Sequence, residues 1–269
     1  ERIRREAVGA AAPASRGAQH EPNTSPESQG QRDASSRISA SGATVSASLM
    51  RPAYAGAMTA LPLFTAHNGF SLPALGLGTY ALGGDAGADA VATAIASGYR
   101  LIDSAFNYEN EGSVGRGVQA SGVDRSELIV TTKLPGRHHS KAKARQSIEE
   151  SRSRLGLDVT DLHLIHWPNP SQDEYVQAWE ALVEAQQRGI VRQIGVSNFL
   201  PEHLERIERE TGVRPVVNQI ELHPYFPQDE QLAYHREHGI LTEAWSPLGR
   251  AKELLDERVI GEVAAAHGI

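Results

Sequence analysis

Short β-rich runs alternate with longer helical patterns along most of this chain, and that alternation constrains its fold more than any other feature. The runs LGLG, RLID, LIVTTK, LHLIH, QIGVS, VVNQIEL and LTEAW end near residues 78, 103, 133, 166, 197, 219 and 245. Between them lie DAGADAVATAIASG, EGSVGRGVQASG, SKAKARQSIEESRSRLG, DEYVQAWEALVEAQQRG, PEHLERIERETG and QDEQLAYHREHG, several of them closing on a glycine where a helix would be capped. Strands joined by helices of this length run parallel. Ahead of the array, LPLFTAHNGFSLPALGLGTY places the turn chemistry of HNG between two short apolar runs, which predicts an opening β-hairpin. Two architectures satisfy the alternation, an open doubly wound sheet and a closed eight-stranded barrel.

The ends of the runs separate the two. Asp103 ends RLID, Lys133 lies in LIVTTK, His166 ends LHLIH, Ser197 and Asn198 follow QIGV, Gln219 and Glu221 close VVNQIEL, and Trp245 ends LTEAW. In a (β/α)8 TIM-type barrel these ends converge on one mouth, whereas an open sheet spreads them along an edge. Asp103 and Lys133 are costly at a buried rim unless each satisfies the other, and a plain ion pair is one reading of them. Tyr108 follows Asp103 by five residues, in a loop able to fold back over the same mouth. A neighbouring ammonium is expected to stabilise the phenolate and lower the tyrosine pKa from its ordinary value of about 10, making Tyr108 a general acid. His166, one strand further round, can bond a substrate oxygen from the other side.

Composition removes several function classes. A net charge of -7 gives no support to a nucleic-acid partner, and the absence of cysteine removes disulfides, thiolate metal sites and a cysteine nucleophile. There is no apolar run long enough for a membrane helix and no secretory signal pattern, so a cytoplasmic protein is expected. Residues 1–57 are rich in Ser, Ala, Gly and Pro and carry no persistent period, with seven arginines against five acids. This tail is expected to be disordered and, since Met58 directly precedes the first patterned stretch, to lie upstream of the natural start. The domain is then 58–269.

Six ordered motifs carry a resemblance: GYRLIDSAFNYENEGSVGRGV, the Lys of TTKL, LIHWP, IGVSNF, VNQIELHP and WSPLG. From about Phe64 to its end the chain resembles the aldo-keto reductases, and Trp245 followed by SPLG is similar to the bacterial 2,5-diketo-D-gluconate reductase type. The resemblance implies an NADPH-dependent reduction of an aldehyde or ketone, such as a keto-sugar acid, with NADH as the other cofactor option. It implies a catalytic tetrad of Asp103, Tyr108, Lys133 and His166, with Tyr108 as proton donor. It further implies that Ser197, Asn198 and Gln219 hold the nicotinamide carboxamide, that Trp245 stacks on the ring, and that Ser246, Leu248 and Gly249 lie along the pyrophosphate. Thr79 is placed with the cofactor, and Tyr80 and Trp167 with the carbonyl substrate. No metal is required, and a monomer is expected at full length.

Several features compete with this reading. Gly76, Gly78 and Ala81 fit a loose dinucleotide fingerprint with Asp103 downstream, but TYALGGDAG delays the helix that such a fingerprint needs at once. His138 and His139 read as solvated loop residues, and strand alternation points His163 away from His166 toward a helix. Only seven strands are counted after the hairpin, because ELLDERVIGEVAAAHGI reads as a helix. The barrel is therefore expected to be unclosed and the chain a fragment. The family resemblance then implies weak or no cofactor binding, since the eighth strand and its helix supply the Lys and Arg that grip the 2′-phosphate. A non-catalytic, cofactor-binding regulatory subunit and an inactive fragment are the alternatives.

Overall fold

A computed structural model describes residues 62–249 and 254–268. The expected tail at 1–57 lies outside them. A hairpin of β1 (Leu63–Thr65) and β2 (Ser71–Pro73) opens the described chain, closed by the HNG turn with Gly69 in the left-handed region at φ 88°. Seven strands follow in strict sequence order: β3 (Gly76–Gly78), β4 (Leu101–Asp103), β5 (Ile129–Leu134), β6 (Thr160–Ile165), β7 (Val191–Ser197), β8 (Val217–Glu221) and β9 (Leu241–Trp245). All six neighbouring pairs are parallel. Helices α1 (Gly84–Ala96), α2 (Glu111–Ala120), α3 (Lys141–Leu155), α4 (Tyr175–Gln187), α5 (Pro201–Thr211) and α6 (Asp229–His238) provide the crossovers, and α7 (Arg258–His267) follows β9. This is a TIM-type barrel sheet that is nearly closed: among the described residues no strand joins β9 back to β3.

Side-chain alternation divides the apolar residues between two layers. Leu101, Leu162, Leu164 and Val217 pack with Ala66 and Leu72 of the hairpin, which covers one end of the barrel interior. Ile102, Val130, Val91, Ile95, Val114 and Val118 pack where α1 and α2 meet the sheet, and Ile165, Ile194, Val196 and Trp179 do so under α3 to α5. His163 alternates with Leu162 and Leu164 and is fully buried. The competing glycine fingerprint resolves into β3 itself, and Ala81, at φ 65°, is followed by Leu82 and Gly83 before α1 begins.

Two helices approach closely enough to exclude any side chain at one position. A Cβ on Gly115 of α2 would sit 2.1 Å from the carbonyl oxygen of Leu155, the last residue of α3. Alanine has the better helix propensity, by about 1 kcal/mol, but the obstacle here is backbone and cannot rotate away. Gly115→Ala is therefore expected to destabilise the protein by about 1–3 kcal/mol, read as a lower urea midpoint at unchanged slope.

Candidate active site

The strand ends do converge, on a cavity of about 980 Å³ lined by Asp103, Tyr108, His166, Ser197, Gln219 and Trp245 among others. Asp103 ends β4, and Lys133 lies on β5 directly beneath the rim, fully buried. Lys133 Nζ donates to Asp103 Oδ2 at 2.6 Å, to the Ser104 carbonyl at 3.0 Å and to Tyr108 Oη at 3.4 Å. An ammonium has three protons, and each has an acceptor here. The phenol oxygen is an acceptor in this arrangement, so its own proton is free to be donated into the cavity. Burial alone would disfavour the Lys133 charge, but Asp103, with Tyr108 and Glu243, more than offsets it and its pKa is raised.

Tyr108 ends a 3-10 turn, Phe106–Tyr108, that Glu109 closes in the left-handed region at φ 54°. Asn110 pins this loop to the barrel: it accepts from Ser104 Oγ at 2.9 Å and donates to the carbonyls of Thr79 at 2.6 Å and Leu82 at 3.1 Å. The ring meets Tyr80 edge-on at 5.3 Å and His166 at 5.8 Å. Sequence reasoning expected a lowered phenol pKa, and the structure corrects this. Burial is the larger effect and raises it; Lys133 opposes, and Asp103 adds to the rise. Tyr108 therefore holds its proton at neutral pH, which is the form a proton donor needs before reaction.

His166 stands one residue beyond β6, its Nδ1 sealed from solvent without a partner among the described residues. Burial, reinforced by Lys133, lowers its pKa to about 4, so the ring is neutral at pH 7. Three more buried histidines behave alike: His139 and His235 fall to about 4 and His163 to about 3, chiefly through burial. His139 corrects the expectation of a solvated loop, because the short turn Gly136–His138 carries it inward to full burial while His138 bonds Ser147. Unfolded histidines titrate near 6.5, so between pH 6.5 and about 4 the unfolded chain binds protons that the native one refuses. Stability is expected to be full above pH 6.5, to fall as pH drops toward 4, and to level off once the native rings protonate. A urea midpoint that stays constant from pH 7.5 to 4.5 would contradict this.

On the far side of the cavity the polar groups interlock. Asn198, with φ 62°, turns back so that its Nδ2 donates to the His166 carbonyl and to Ser197 Oγ, each at 3.0 Å, while its Oδ1 accepts from Trp245 Nε1 at 2.9 Å. Ser197 Oγ donates to the Gln219 carbonyl at 2.8 Å. Tyr80, Trp167 and Ser246 also line the cavity, Tyr80 and Trp167 at 77% and 48% exposure. Thr79, Leu248 and Gly249 do not. Thr79 is fully buried, and its hydroxyl donates to the Asp103 carbonyl, bracing β4 from behind. Sequence reasoning missed Ser104, Asn110 and Glu243; an Asn directly before α2 and an acidic residue inside an otherwise apolar strand were the available signals. A second cavity, of about 370 Å³, lies at the opposite strand ends, where Arg125 and Arg192 both pair with Asp161.

Residues 74–261 match the model of the aldo/keto reductase family. The chain belongs to that family. It is 54% identical over 212 residues to 2,5-diketo-D-gluconic acid reductase B of Corynebacterium sp., covering 79% of this chain and 76% of that protein. It is 46% identical over 219 residues to morphine 6-dehydrogenase of Pseudomonas putida, covering 77% and 74%. A solved structure of a Gox0644 mutant in complex with NADPH superposes with a TM-score of 0.73 at 44% identity, covering 78% of this chain and 75% of that one. Among the described residues no helix is long and apolar enough to cross a membrane. The aldo/keto reductase chain is thus an oxidoreductase by family, while its relatives' names span unlike substrates.

Proposed function

We propose that this aldo/keto reductase reduces an aldehyde or ketone to the alcohol with NADPH, with Tyr108 giving the proton. The observation that carries the reading is the set of three hydrogen bonds from Lys133, which makes the Tyr108 oxygen an acceptor from inside and leaves its hydrogen for a substrate oxygen. Neutral His166, facing the Tyr108 ring edge-on, is the second group able to bond that oxygen and orient the carbonyl. As negative charge develops on the substrate oxygen, Tyr108 transfers its proton and the adjacent Lys133 ammonium stabilises the phenolate left behind. Asp103 keeps that ammonium charged inside the barrel.

The chemistry of the opposite wall fits a nicotinamide: an indole tethered through its N–H, beside a carboxamide, a hydroxyl and a second carboxamide within one cavity. Ser197, Asn198 and Gln219 would hold the cofactor's amide, and Trp245 its ring, with Ser246 leading toward the phosphates. When bound, the cofactor supplies the hydride. Tyr80 and Trp167, large and exposed at the mouth, would line the carbonyl pocket. The similarity to a 2,5-diketo-D-gluconic acid reductase supports a keto-sugar acid as substrate. The test is NADPH oxidation followed at 2,5-diketo-D-gluconate and at a simple aldehyde. Turnover of the aldehyde alone would remove the sugar-acid assignment, and tight NADPH binding without turnover of either would favour a regulatory subunit.

A further inference from the structure

One acidic side chain in the barrel interior takes no direct part in the proton transfer just described, beyond helping Asp103 to keep Lys133 charged. Glu243 lies in the middle of β9, paired in register with Gln219 of β8, and accepts a hydrogen bond from Gln219 Nε2 at 2.8 Å. Its other oxygen, Oε2, is sealed from solvent and has no hydrogen-bond partner among the described residues. A carboxylate with one oxygen sealed from water is unfavourable unless it is compensated, and a glutamine or a leucine would fill the space without a charge. Burial and the nearby Asp103 push its pKa up to about 7, while Lys133 and the Gln219 bond pull the other way.

What the charge does is visible in Gln219. A side-chain amide can present either its oxygen or its nitrogen to a neighbour, and only the neighbour's chemistry selects between them. An ionised carboxylate accepts and cannot donate, so Gln219 must turn Nε2 toward Glu243. Its Oε1, which makes no hydrogen bond among the described residues, is left as the acceptor on a side chain lining the cavity. We propose that Glu243 is a positioning residue for cofactor binding: its carboxylate holds the Gln219 amide in the one orientation that accepts a hydrogen bond from the nicotinamide amide N–H. This rests on the proposed NADPH-dependent reading of the same cavity.

The experiment compares NADPH affinity by fluorescence titration at pH 8, where the Glu243 carboxyl is ionised, together with the melting temperature of each protein. Glu243→Gln keeps the shape but can donate or accept, so Gln219 loses its fixed orientation. NADPH binding is expected to weaken about tenfold, while the melting temperature holds or rises because a buried charge has gone. A merely structural Glu243 would instead lower the melting temperature and leave affinity in place. The exchanged pair, Gln219→Glu with Glu243→Gln, restores a fixed acceptor at position 219 and is expected to recover binding to within about threefold of the parent. Parent-like affinity in Glu243→Gln, or no recovery in the exchanged pair, overturns the proposal. If the parent protein itself binds no NADPH, the functional reading falls first and takes this inference with it.

Discussion

Replacing Tyr108 by phenylalanine is expected to lower kcat for carbonyl reduction by about 10²- to 10⁴-fold, the range for losing a positioned general acid, while the fold and the affinity for NADPH are kept. The variant removes one oxygen that only accepts a 3.4 Å bond from Lys133. Its ring contacts with Tyr80 and His166 remain. One proton of the buried Lys133 ammonium then loses its acceptor, so the structural cost should be about 1–3 kcal/mol, and the functional change should be in kcat rather than in cofactor affinity. Steady-state rates with a simple aldehyde, alongside a urea melt, separate the two quantities. A kcat within a few-fold of the parent would remove Tyr108 from the mechanism and leave His166 as the remaining candidate donor.

The second large effect is on stability as much as on rate. Lys133 is fully buried, and its side chain is paired with an Asp103 side chain that is only 13% exposed. Lys133→Met leaves Asp103 as a buried charge without a counterion, and its Oδ1 has no hydrogen-bond partner among the described residues to share the load. Breaking one side of such a pair costs about 3–5 kcal/mol. Removing both charges, in Lys133→Met with Asp103→Asn, is expected to recover most of that loss, because two neutral side chains carry no Coulombic penalty in a low-dielectric interior. Activity should not recover with stability. Without the ammonium, the burial that already raises the Tyr108 pKa acts unopposed, so the phenol becomes a poorer acid in both variants. Equal urea midpoints for the single and double variants would show that Asp103 is solvated well enough to stand alone.

These outcomes bear on how the site is encoded in the chain. Asp103, Lys133, His166, Ser197, Asn198 and Trp245 are legible in the sequence because each stands at or beside the end of a β-rich run, and a parallel barrel sends all such ends to one mouth; Gln219 instead sits in the middle of β8 and lines the cavity from there. Tyr108 is legible from its distance to Asp103. The hairpin, the strand order and six crossover helices follow equally from local chemistry: periods of two and of 3.6, the HNG turn, and glycines such as Gly156, Gly212 and Gly239 in the left-handed conformation at helix ends.

The parts that are illegible share one property, which is that they depend on burial summed over residues far apart in sequence. Nothing in GRHHSK distinguishes His138, bonded to Ser147, from His139, which a single turn carries into the interior. The sign of the Tyr108 shift is a competition between an ammonium 3.4 Å away and the loss of water around the ring, and only the packed barrel sets the second quantity. Glu243 reads as a routine acidic residue in LTEAW until β8 and β9 pair it with Gln219 and the barrel interior covers its Oε2. The periodicity and the strand ends by themselves determined the architecture and which residues face the mouth, because those are properties of the local backbone. Which of those residues are charged, neutral or held in one orientation was decided only by tertiary packing, because desolvation and hydrogen-bond direction act through space.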